Sequence, residues 1–95
     1  MQTKEAIEVL SRLKDEEELH GEDKFIEWRG KVAAILKATF GSNSDQYRNF
    51  ILVSEPRREG YTTARGPSRD WELYRLDAAT RGKGVIRAAI FVLET

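Results

Sequence analysis

Glu22-Asp23-Lys24-Phe25-Ile26-Glu27-Trp28-Arg29-Gly30-Lys31-Val32-Ala33-Ala34-Ile35-Leu36-Lys37-Ala38-Thr39-Phe40-Gly41 is the stretch whose reading decides the fold. Phe25, Trp28, Val32, Ile35, Leu36, Thr39 and Phe40 recur at intervals of three and four, which draws an apolar stripe along one side of a helix. Glu22 and Asp23 stand where the positive end of the helix dipole favours acids. Gly41 follows the last apolar residue, as a C-terminal cap does. The spacing therefore predicts a helix over 22–40, with a core that this helix must share with others.

Working back toward the N-terminus, Ala6, Ile7, Leu10 and Leu13 share one face of a helix that opens near Thr3 as its cap and reaches about Leu19. Its tail, Asp15-Glu16-Glu17-Glu18, reads as a solvated end, and His20-Gly21 breaks it. Working forward, Ser42-Asn43-Ser44 is a turn, and Ser44 caps a shorter helix with Tyr47, Phe50 and Ile51 inward. Pro56 ends it. Residues 54–70 show no periodicity and hold both prolines, Gly60, Gly66 and four arginines, so they read as a long loop. Asp70 caps a last helix carrying Trp71, Tyr74, Ala78, Gly82, Val85, Ala89 and Leu93 at helical spacing. Gly82 and Gly84 either permit a close helix crossing or mark a kink. A strand over Val85–Leu93 is the competing reading, and Ala88 and Ala89 speak against it. The expected fold is all-α: one domain over 1–95, an antiparallel bundle of three to four helices with a long loop before the last.

Composition bounds the function. The 95 residues carry sixteen basic and sixteen acidic side chains, so a bulk electrostatic nucleic-acid binder is not expected. The charge is uneven: residues 1–27 have nine acids and four bases, net −5, and the remainder is correspondingly basic. No cysteine is present, which removes disulfides and thiol chemistry and fits a reducing, cytoplasmic setting. The N-terminal stretch has no unbroken apolar run, so neither a signal peptide nor a membrane span is expected. The last helix runs to Thr95 without a stop signal, which reads as a chain that continues further.

Candidate sites are few. His20 is the single histidine; with Glu16 four residues earlier it offers two metal ligands where a stable site needs three or four, so neither a metal nor a Ser-His-Asp triad is expected. Arg81-Gly82-Lys83-Gly84 looks like part of a phosphate loop, but Asp77 stands at the first glycine position and Gly84 replaces the magnesium-binding hydroxyl. Arg57, Arg58, Arg65 and Arg69, with Tyr61 for stacking, are the residues that could hold a phosphate, as in a nucleotide or nucleic acid. Solvated loop charges balanced by Glu55, Glu59 and Asp70 are the plainer account. Several apolar residues fall off the helix seams: Val9, Ile26, Leu52, Val53, Leu73, Phe91 and Val92. Of these, Leu73, Phe91 and Val92 make the last helix apolar almost all round and are the candidate interface for a protein partner. No cofactor and no catalytic residue is expected.

Phe25-x-x-Trp28, Ile35-Leu36, Phe40-Gly41, Ser44, Tyr47 and Phe50, with the closing Ile86-x-x-Ala89-Ile90-x-x-Leu93-Glu94, resemble the small helical accessory modules of bacterial anti-phage defence proteins, which sit beside TIR-like or nucleotide-binding effector domains. The family's glycine and leucine near the start of the last helix have no clear counterpart around Leu76 and Asp77. The resemblance implies a regulatory or self-associating module whose partner is itself or an attached effector, and it carries over no catalytic residue.

Overall fold

A computed structural model describes residues 2–17, 19, 21–56 and 71–95, with side chains from residue 73 onward in the last segment. Four helices pack together: α1 (Thr3–Lys14), α2 (Glu22–Phe40), α3 (Asp45–Val53) and α4 (Trp71–Glu94). The fold is all-α, as the periodicity predicts. Residues 57–70, where the long loop is expected, and the expected Asp70 cap lie outside the described residues. α1 and α3 each pack against both α2 and α4, and α2 and α4 touch between them.

The ends of α2 fall where the sequence puts them. Gly21 (φ 90°) and Gly41 (φ 98°) flank it in backbone conformations that side chains rarely adopt. A four-residue turn, 41–44, then leads into α3. The Ser44 hydroxyl accepts from the Tyr47 amide at 3.2 Å and donates to the Gly41 carbonyl at 2.7 Å, so one side chain fixes both the turn and the helix start. α3 runs back antiparallel to α2: its last turn lies beside Arg29, eleven residues before the end of α2.

α1 differs from expectation at both ends. Gln2, not Thr3, is its N-cap, with no side-chain hydrogen bond, and the helix stops at Lys14 rather than near Leu19. Asp15, Glu16 and Glu17 oppose the negative end of the helix dipole, which favours termination before them. Leu19 nevertheless enters the core, 3% exposed, in one cluster with Leu10, Phe25 and Trp28.

The core centres on aromatic rings. Trp28 lies 6.1 Å from Phe25 and 5.8 Å from Phe50, the second contact edge-on. Around them stand Leu10, Val32, Leu36, Ile86 and Ala89, all fully buried. Gly82 closes the layer from α4. A Cβ built on it would meet Phe50 Cε1 at 2.9 Å and Trp28 Cη2 at 3.2 Å, so Gly82 serves a close helix crossing. Gly84 has open space in the Cβ direction. The 85–93 segment is helical, which excludes the strand reading.

Gly30 gives a prediction in the opposite direction. It lies exposed in mid-α2 with nothing within 4 Å of a Cβ. Gly30→Ala should stabilise the bundle by about 1 kcal/mol through helix propensity alone. Urea unfolding followed by circular dichroism checks this; an unchanged or lower midpoint would contradict it.

Candidate functional site

Three cationic side chains, Arg29, Arg81 and Lys83, are spent on backbone carbonyls at or just beyond helix ends. The Arg29 guanidinium donates from Nε to Ser54 Oγ and from Nη2 to the Ile51 carbonyl, each at 2.9 Å. Arg81 donates from Nε to the Val53 carbonyl at 3.0 Å and from Nη2 to Glu55 O at 3.4 Å, while Asp77 holds its other nitrogen. Two arginines from two helices thus satisfy the carbonyls at the end of α3, where a helix leaves acceptors without partners and favours positive charge. The end of α1 is treated alike. Trp28 Nε1 donates to Leu13 O at 2.8 Å, and Lys83 Nζ to Glu16 O at 2.6 Å.

These contacts dispose of the phosphate-loop reading. Arg81-Gly82-Lys83-Gly84 lies inside α4, with Arg81 and Lys83 engaged on carbonyls and Gly82 against rings. Arg57, Arg58, Arg65 and Arg69 lie outside the described residues, as does His20. Among the described residues, no group of three His, Asp or Glu side chains is placed to hold a metal ion. A shallow hollow of about 420 Å³ is lined by Arg29 and Arg75 together with Glu22 and Glu55, an even balance of charge over an apolar floor that includes Phe25. On the surface of α2, hydrogen bonding and charge from Lys31, 2.9 Å away, hold the Glu27 carboxyl below its ordinary range.

The candidate interface residues do stand exposed. Phe91 is 69% accessible, Leu73 54% and Val92 47%. Ile26 and Leu52 are similarly exposed on α2 and α3, whereas Val9 and Val53 are half-buried. Leu73 and Phe91 are 18 residues apart, about five turns, so they point in one direction from α4 and lie about 27 Å apart along it. Val92 is turned about 100° from that line. Thr80 and Gly84, both exposed, fall on the same line between them.

No helix among the described residues is long and apolar enough to cross a membrane. No protein-family model, curated protein or solved structure matches the chain.

Proposed function

We propose that this chain is a non-catalytic protein-interaction module, one that binds a second copy of itself or an attached effector through the outward face of α4. The observation that carries this reading is the exposure of Phe91 and Leu73 on a helix whose opposite face buries Ala78, Gly82, Ile86 and Ala89. Exposed apolar surface beyond what a small monomer ordinarily shows marks a face that a partner covers, and we read Phe91 with its neighbour Val92, and Leu73, in that way. The described polar groups serve the fold: Arg29, Arg81, Lys83 and Trp28 are occupied in capping helices. The resemblance to accessory modules of anti-phage proteins is what joins the reading to bacterial defence, where such a module regulates or scaffolds an effector.

Light scattering coupled to chromatography tests the self-binding form. Wild type should show a mass above the 10.9 kDa of one chain that rises with concentration. Phe91→Glu should return it to one chain with helix content kept, because a charge buried unpaired in an interface is strongly unfavourable. An association that Phe91→Glu leaves intact would remove the α4 face from the proposal.

A further inference from the structure

We infer that the partner of the α4 face is a second copy of this chain, docked antiparallel about a twofold axis that passes at the level of residue 82. The inference rests on the reading of that face as an interaction surface and adds the occupant and its register.

In a twofold antiparallel pair of helices, residue i of one copy meets residue j of the other wherever i and j are equally far from the axis, and each contact occurs twice. Residue 82 lies midway between Leu73 and Phe91, so each exposed leucine would meet the partner copy's exposed phenylalanine at both ends of the contact. The same axis sets Asp77 opposite Arg87, an acid against a base, again twice. Arg87 is exposed, and Asp77 keeps about a third of its side chain accessible (34%) while it holds Arg81. At the centre, Thr80 meets Gly84, whose Cβ direction is open; small residues there let the two backbones approach closely. A parallel pair in register would instead set Asp77 on Asp77 and Arg87 on Arg87. Charge complementarity therefore selects the antiparallel arrangement.

The lack of native cysteine makes the register directly testable. Mixed chains bearing Asp77→Cys and Arg87→Cys should form a disulfide-linked pair on mild oxidation. Arg87→Cys alone should not link to itself, because two copies of residue 87 would lie about 15 Å apart along the helices, beyond the reach of a disulfide. Arg87→Glu, at an exposed position that the fold does not use, should weaken association by about tenfold at low salt. Self-linking of Arg87→Cys would overturn the register while leaving self-association standing. So would an association indifferent to Arg87→Glu. A wild type that stays at one chain's mass at high concentration would overturn the inference together with the self-binding form of the proposed function.

Discussion

Trp28→Ala is expected to lower stability by about 3–5 kcal/mol. The indole is 3% exposed, packs on Phe25 and Phe50, and meets Gly82 of α4. Its nitrogen also ties down the Leu13 carbonyl. Truncation therefore opens a cavity where α2, α3 and α4 meet and at the same time unfastens the end of α1. A domain of this size has a total stability of about 5–10 kcal/mol. The melting temperature should fall by about 12 °C or more, since each kcal/mol is worth about 4–8 °C here. Thermal unfolding followed by circular dichroism measures it, and a fall of only a few degrees would show that Trp28 is dispensable. Trp28→Phe keeps one ring of apolar contact and loses the hydrogen bond with part of the buried volume, so it should cost less than Trp28→Ala, about 1–3 kcal/mol.

Gly82→Val is the second large loss. Replacing glycine inside a helix ordinarily helps by up to about 1 kcal/mol. At residue 82 the first added carbon already meets Phe50 at 2.9 Å, and valine adds two more. Phe50 has no accessible surface and Trp28 backs the same space, so the rings cannot yield without moving α3 or α2. Overpacking of this kind costs about 1–3 kcal/mol and sometimes more; the upper end is expected because both obstructing groups are rigid rings. Chemical denaturation of Gly82→Val beside Gly30→Ala makes the comparison internal. A Gly82→Val protein as stable as wild type would mean that the crossing is looser than the geometry says.

Those two glycines show where sequence reading stops. Gly30, Gly82 and Gly84 look alike in the chain, and only the neighbours brought by folding separate the necessary one from the dispensable ones. The bounds of α2 and the Ser44 cap were legible because their signals are local: apolar spacing, flanking glycine, a hydroxyl before a helix. The long-range side-chain contacts that close the ends of α3 and α1 were not. Arg29, Arg81 and Lys83 find their acceptors 22 to 67 residues away and leave no local pattern. Leu19 was passed over because it follows a run of acids, although tertiary folding returns it to the core. Of the candidate surface, the surplus of apolar residues on α4 was legible, and the alignment of Leu73 with Phe91 has a single signal in the chain, their 18-residue interval.

The hydrogen bond from Lys83 to Glu16 has a consequence for how the protein is made. It spans 67 residues, and α1 packs on α4 as well as on α2. On the ribosome α1 emerges well before α4, one of the two helices it packs against. α2 and α3, joined by a four-residue turn, can close as a hairpin as soon as both have left the exit tunnel. α1 must wait through the whole of residues 54–70 with its Leu10 face incompletely covered. Its acidic flank, Asp15 to Glu17, keeps that waiting segment charged and so discourages it from aggregating before α4 arrives.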